Sequence, residues 1–316
     1  MDRKQDWLDF FSRGIRQELQ RIPLEFSKLQ EIRLRAGAPL MVWYDSREYT
    51  ISCSGKLVQP SDRSSSICLV TGKDIRETVE CMGNYSLYAF EDEIRQGFLT
   101  LRGGHRAGLT GKAVMDQGEL KMIRCISGIN LRFAHQVIGC ASPYMEKMME
   151  QGRFCHSLLV SPPRCGKTTL LRDMVRLLSD GFPGFAGVNV GVVDERSEIG
   201  ACYDGIPQND LGIRTDILDC CPKALGMMML IRTMSPQIIA VDEIGGKQDL
   251  EAIRYGVSCG CGILATVHGA GLEDLRQKPV LGEMLQEGIF KRFLVLGHTG
   301  RPGQVVGIYD ERGRAL

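Results

Sequence analysis

Residues 161–173 read SPPRCGKTTLLRD. They follow the apolar run HSLLVS (156–161) and open a helical pattern. A strand, a short loop ending in Gly-Lys-Thr and a helix let backbone N–H groups of the loop and first helical turn surround a phosphate. The helix N-terminus adds about half an elementary positive charge at that point. On this reading Ser161, Pro162, Pro163, Arg164, Cys165, Gly166, Lys167, Thr168 and Thr169 form a nucleotide-binding loop. Gly166 lets the backbone approach the phosphates without a Cβ in the way. Lys167 is expected to reach the β- and γ-phosphates of ATP, and Thr168 to offer its hydroxyl to Mg²⁺. The loop departs from G-x-x-x-x-G-K-[ST] at its first position, where Ser161 stands for Gly; the departure costs little if that residue keeps a negative φ. The competing explanation is a chance Gly-Lys-Thr-Thr at a helix start.

Downstream lies QIIAVDEIGG (237–246), in which Ile238–Val241 predict a buried strand ending in Asp242 and Glu243. A carboxylate at the C-terminal end of such a strand faces the crevice that the phosphate loop lines. Asp242 is expected to hold Mg²⁺, and Glu243 to orient or deprotonate the attacking water. The alternative, an acidic helix cap after the strand, accounts for one carboxylate and not for the pair. By the same strand-end rule, VVDERSEIG brings Asp194, Glu195 and Arg196 to the crevice, and ILATVHG brings Thr266 and His268. Glu195 is the reserve candidate for the base. His268 is expected to sense the γ-phosphate or polarise water, with a structural cap at the sheet end as the alternative.

Outward from these motifs, apolar runs at 156–161, 188–195, 237–243, 262–268 and 293–297 alternate with helical patterns. Near-continuous apolar strands separated by helices predict a mostly parallel sheet covered on both faces. Upstream the character differs. Residues 2–21 predict an amphipathic helix carrying Trp7, Phe10, Phe11, Ile15 and Leu19. EIRLR (31–35), LMVWY (40–44) and EYTIS (48–52) predict a small meander, 74–82 a helix capped by Thr71, and 88–96 another helix. FLTLRGGHRAGLTGKAV (98–114) predicts two strands around a Gly-rich bend, continued by a strand in 121–135. The expected organisation is an α+β domain over 1–135 and a P-loop domain over 136–316, entered by a helix at 141–152. PSDRSSS (60–66) is the best candidate for a mobile loop.

Composition narrows the function classes. Lys+Arg number 39 and Asp+Glu 38, so the net charge of +1 gives no global attraction to nucleic acid or to an acidic membrane. The 12 cysteines include no C-x-x-C, which argues against a zinc ribbon or a thioredoxin-like site and for reduced thiols packed as small hydrophobes. No transmembrane segment is expected, since no apolar run approaches the roughly 20 residues that span a bilayer. The N-terminus MDRKQDWLDFF has no signal-peptide h-region. A cytoplasmic protein is expected, free to dock on a membrane complex from that side.

The strings EIRLRAGAPL, GFLTLRGGHRAGLTGKAV, SPPRCGKTTLLRD, VVDERSEIGACYDGIPQNDLGIRTDILDCCPKALGMMMLIRTMSPQIIAVDEIG and ATVHG resemble the stage III sporulation protein AA family along nearly the whole chain. That family resembles the hexameric traffic ATPases of type II and type IV secretion. The resemblance implies a RecA-like P-loop domain behind the smaller α+β domain. It implies an ATP-hydrolysing motor, using ATP and Mg²⁺, that serves a channel-like complex in the membranes around the forespore. The implied partners are further copies of the chain, as a hexamer, and the cytoplasmic face of that complex in the mother cell. It places Asp194 and Glu195 in an aspartate box and His268 in a histidine box. Where this chain has Ser161 and Arg164, the family usually has Gly. The resemblance also makes arginines of the first domain candidates to approach the nucleotide: Arg106 and Arg132 first, then Arg102, with Arg232 in the second domain behind them. Otherwise these arginines line a solvated strand face or a local anion nest. Two other functions share this fold. A RecA-like nucleic-acid motor lacks support, for want of a basic run with interleaved aromatics. A nucleotide-switched scaffold would bind ATP tightly with little turnover. An ABC transporter subunit is disfavoured because L-S-G-G-Q is missing from the sequence.

Overall fold

Alternating apolar residues make Leu29–Arg35 a half-buried strand, with Leu29, Ile32 and Leu34 inside and the charged residues toward solvent. In the computed structural model, which describes residues 6–62, 66–83, 97–116, 119–297 and 303–316, this strand (β1) belongs to the first of two compact units, 1–135 and 136–316.

Unit 1 is built on an antiparallel sheet of seven strands among the described residues. With β2 (Met41–Tyr44), β3 (Arg47–Ile51), β4 (Leu57–Val58), β5 (Phe98–Leu101), β6 (His105–Asp116) and β7 (Glu119–Arg132), its order is β4-β3-β2-β1-β7-β6-β5. Its core draws on the N-terminal residues Trp7, Phe10, Phe11, Ile15 and Leu19, all buried. They do not lie on one helix, as their spacing predicts. A 3₁₀ turn (Asp6–Phe10) precedes α1 (Arg13–Gln20), because Ser12 caps the helix by accepting from Ile15 N at 3.4 Å. Thr71 caps α2 (Gly72–Met82) in a capping box with Asp74. The helix predicted at 88–96 lies outside the described residues, as does part of the 60–66 loop.

Unit 2 does not open on a helix at 141–152. Pro143 sits in a 3₁₀ helix, Ser142–Met148, and the chain then turns through the short hairpin β8 (Met149–Glu150) and β9 (Arg153–Phe154), with Gly152 at φ 74° between them. The main sheet comprises β10 (Ser157–Ser161), β11 (Val190–Asp194), β12 (Thr215–Asp219), β13 (Ile238–Val241), β14 (Gly262–His268), β15 (Arg292–Leu296) and β16 (Val305–Asp310), in the order β12-β11-β13-β14-β10-β15-β16. All pairs are parallel except β15–β16. Helices α3 (Lys167–Asp180), α4 (Lys223–Thr233), α5 (Lys247–Ser258), α6 (Leu272–Gln277) and α7 (Pro279–Gln286) follow. Separate apolar clusters, one around Leu170, Met174 and Val192, the other around Met227, Ile253 and Val267, bury β-strand residues of opposite parity. That is the signature of a sheet covered on both faces. From β10 the chain passes to β11 on one side of the sheet, and β15 lies on the other, which makes the C-terminal end of β10 a topological switch point.

Candidate functional site: the crevice at the end of β10

The loop between β10 and α3 carries two left-handed residues, Arg164 at φ 62° and Gly166 at φ 85°. Gly takes that geometry freely; at Arg164 the chain pays a steric cost that a glycine would avoid. Ser161 is not among the positive-φ residues, so its departure from the loop pattern is harmless to the backbone. It is fully buried, and its hydroxyl donates to Pro162 O at 2.7 Å. Pro162 and Pro163 carry the chain outward, and Cys165 returns to the interior, where its carbonyl accepts from Gly303 N at 2.6 Å. Lys167, Thr168 and Thr169 form the first turn of α3.

Strand β13 delivers Asp242 and Glu243 beside that turn. Lys167, 5% exposed, places Nζ 3.0 Å from Asp242 Oδ1 and 3.0 Å from Glu243 Oε1. Thr168 Oγ1 donates to Asp242 Oδ2 at 2.7 Å. Strand β14 supplies the third side: Thr266 hydrogen-bonds Asp242 through its hydroxyl, which also accepts from Glu243 N at 2.9 Å. His268 Nε2 lies 2.7 Å from Glu243 Oε1, and Arg196 Nη1 lies 3.3 Å from Glu243 Oε2. Burial works to raise the Glu243 carboxyl. The hydrogen bond and charge of Lys167, followed by those of His268, outweigh it and hold the group below the ordinary glutamate value. Glu243 itself sits at φ 55°, a left-handed conformation that is strained for a glutamate. Cavities of 70 and 330 Å³ reach it; the smaller is lined also by Glu195, Arg196 and Lys223, the larger by His268 and Lys278.

The two acids after β11 play different parts. Asp194 is 2% exposed and accepts from the backbone N–H groups of Glu198, Ile199 and Gly200 at 2.9, 2.8 and 2.8 Å. Burial raises its carboxyl against those three donors. It shapes the loop, and it also lines the smaller of the two cavities. Glu195 is ion-paired with Lys223, the first residue of α4. A lysine there opposes the helix dipole, and this was the signal in the sequence that could have marked Lys223 as a site residue. Arg106 and Arg132 belong to unit 1, where they are cross-strand partners on β6 and β7. Arg132 Nε lies 3.5 Å from Glu31, and the Arg106 guanidinium lies 4.4 Å from the Phe98 ring centroid. Arg102 follows β5, and Arg232 is exposed on α4.

A mostly parallel sheet, a Gly-Lys-Thr loop at its switch point and an acidic strand end two positions away define a P-loop domain of RecA-like fold. The family model described as "Sporulation stage III, protein AA" matches residues 1–316, and the chain belongs to that family. It is 37% identical over 304 residues to Stage III sporulation protein AA of Bacillus subtilis (strain 168), covering 96% of this chain and 94% of that protein. It is also 30% identical over 162 residues to the uncharacterized protein ycf45 of Porphyra purpurea, covering 51% of this chain and 27% of that protein. Among solved structures, the Legionella pneumophila ATPase DotB matches with a TM-score of 0.54 at 14% identity, over 90% of this chain and 77% of that one. The pilus retraction motor PilT with bound ADP matches with a TM-score of 0.54 at 15% identity, over 89% and 76%. At those identities the likeness speaks for the fold. No helix among the described residues is long and apolar enough to cross a membrane.

Proposed function

We propose that the chain is a Mg²⁺-dependent ATPase, a motor of sporulation that works as a homo-oligomer, a hexamer, on the cytoplasmic face of a membrane complex. The observation that carries this reading is the convergence of Lys167, Thr168, Asp242 and Glu243 from two segments far apart in sequence onto one point. Phosphate oxygens of ATP would compete with the two carboxylates for the Lys167 ammonium, in charge-assisted contacts of the kind it already makes. The Thr168 hydroxyl and the Asp242 carboxylate, 2.7 Å apart, are the hard oxygen donors that Mg²⁺ takes, and they fit the ion. When bound, it would neutralise charge on the β- and γ-phosphate oxygens. Glu243 accepts a proton from the attacking water at Oε1 or Oε2, while His268 and Arg196 fix the direction of its carboxylate. The likeness in fold to DotB, an ATPase, and to PilT, a pilus retraction motor with bound ADP, supports the same reading. The test is a titration with a fluorescent ATP analogue in Mg²⁺ beside a phosphate-release assay. Saturable binding with turnover supports the proposal; tight binding with no release would make the chain a nucleotide-switched scaffold; no binding would overturn it.

A further inference from the structure

Arg172 and Asp173 are consecutive residues of α3, just beyond the first turn that carries Lys167 and Thr168. Their side chains hold two different segments. Arg172, buried so that its guanidinium is pushed below its ordinary value, donates to Ile199 O at 2.8 Å and Glu198 O at 2.7 Å. It thereby fastens α3 to the loop that Asp194 shapes. Asp173 is 1% exposed and faces the other way along the chain. It accepts from Gly139 N at 3.0 Å and from Ala141 N at 2.7 Å, and its charge is met by Arg176 at 2.8 Å.

Residues 136–141 are the first of unit 2, directly after the boundary at 135. They are held at a second point. Gln136 donates through Nε2 to Asp210 O at 2.7 Å and accepts from Asp210 N at 2.8 Å. Asp210 is itself tied back, since Asn209 Nδ2 donates to Ile199 O at 2.8 Å, the carbonyl that Arg172 also holds. The hydrogen bonds therefore close a ring from α3 through the 198–210 loop to Gln136, along 136–141, and back to α3 at Asp173. A buried carboxylate satisfied by two backbone amides of one short segment fixes that segment firmly, because leaving any member unpaired costs its desolvation.

We infer that Asp173 and Gln136 are positioning residues that tie segment 136–141 to the phosphate-loop helix and the 198–210 loop, so that ATP binding at Lys167 is felt at the junction of the two units. The inference rests on the ATP-binding reading above. The sequence offers no hint of it, since Asp173 reads as an ordinary polar residue of a helix and Gln136 as a surface amide.

Hydrogen exchange of the peptide spanning 136–141 tests it, with adenylyl-imidodiphosphate and Mg²⁺ as the probe and affinity measured separately by fluorescence titration. In the parent chain the nucleotide is expected to slow exchange there by about threefold or more, though no residue of the segment belongs to the phosphate loop. Asp173→Asn and Gln136→Ala are expected to abolish that nucleotide-dependent difference while affinity stays within about twofold. A purely structural role would speed exchange equally with and without nucleotide and leave the difference intact, and that result overturns the inference. Unchanged exchange in a parent chain that binds the nucleotide also overturns it. Failure to bind nucleotide at all would instead sink the ATP-binding reading. Gln136 lies at the surface, so Gln136→Ala remains informative should Asp173→Asn fail to fold.

Discussion

At the scale of single residues, Lys167 holds two carboxylates at 3.0 Å each, so its loss has two consequences. Lys167→Ala removes the charge-assisted contacts to phosphate, each contributing roughly 1.5–3 kcal/mol. It also leaves Asp242 and Glu243 facing one another without their shared cation. Nucleotide affinity is expected to fall at least about tenfold in a fluorescent-analogue titration; unchanged affinity would remove the loop from the site. Glu243→Gln keeps the shape and loses the proton acceptor, so binding should persist while hydrolysis slows by about 10²-fold or more. Hydrolysis at the parent rate would pass the role of base to Glu195, whose partner Lys223 would then have to release it. The pH dependence follows from the depressed Glu243 carboxyl. A carboxyl held below its unfolded value stabilises the fold fully above that value, near 4.3, and the contribution is lost as pH falls through the folded pKa. The base accordingly stays ionised further into acid than a free glutamate. His268→Ala removes part of what lowers it, so the acid limb of the kcat/KM–pH profile, which reports the nucleotide-free enzyme, is expected to move to higher pH. A limb that stays in place would detach His268 from Glu243.

At the scale of elements, α4 shows where packing overrides local preference. Gly226 interrupts it, and an alanine elsewhere in a helix interior would gain about 1 kcal/mol over glycine. Here a Cβ would stand 2.4 Å from Val193 Cγ1 and 3.1 Å from Cγ2 on β11. Overpacking a β-branched neighbour costs about 1–3 kcal/mol, so the clash wins. Gly226→Ala is expected to lower stability by up to about 2 kcal/mol in urea denaturation and to slow turnover by shifting Lys223 at the head of the same helix; a stabilised variant would show that α4 can move away from the sheet freely. The same competition explains what the sequence left hidden. Strands β10, β11, β13 and β14 were legible because strands buried on both faces must be apolar throughout, as Leu158, Leu159 and Val160 are. Strand β12, TDILD, was not, because it lies at the sheet edge with every residue half-buried, so neither an apolar run nor an alternation marks it. Strand β16 hides similarly as an antiparallel edge. Within the site, Gly166, Lys167, Thr168, Asp242 and Glu243 could be read from motif and strand-end logic. The hold of Thr266 on Asp242 and of Lys223 on Glu195 could not, because each spans more than 20 positions and depends on which strands become neighbours.

At the scale of the whole molecule, the two leading candidate arginines, Arg106 and Arg132, and the phosphate loop belong to different units. Arg106 and Arg132 are cross-strand partners in the unit 1 sheet, and Arg132 pairs with Glu31, which also pairs with Arg33. An arginine delivered to a transferring phosphoryl group is worth about 10³–10⁵ in rate. If the arginine comes from another copy of the chain, nucleotide becomes part of the contact between copies, and a head-to-tail contact of that kind closes into a ring when its rotation permits. Addition of an ATP analogue with Mg²⁺ is therefore expected to shift the chain toward larger species, hexamers, in analytical ultracentrifugation. Arg106→Ala and Arg132→Ala should depress turnover by about 10²-fold or more while nucleotide affinity stays within a few-fold, because the charge acts chiefly in the transition state. A population that remains monomeric at on the order of tens of micromolar protein, with nucleotide at roughly 100 times its Kd, would count against the ring. Parent turnover in both arginine variants would return those residues to a role in the sheet of unit 1 alone.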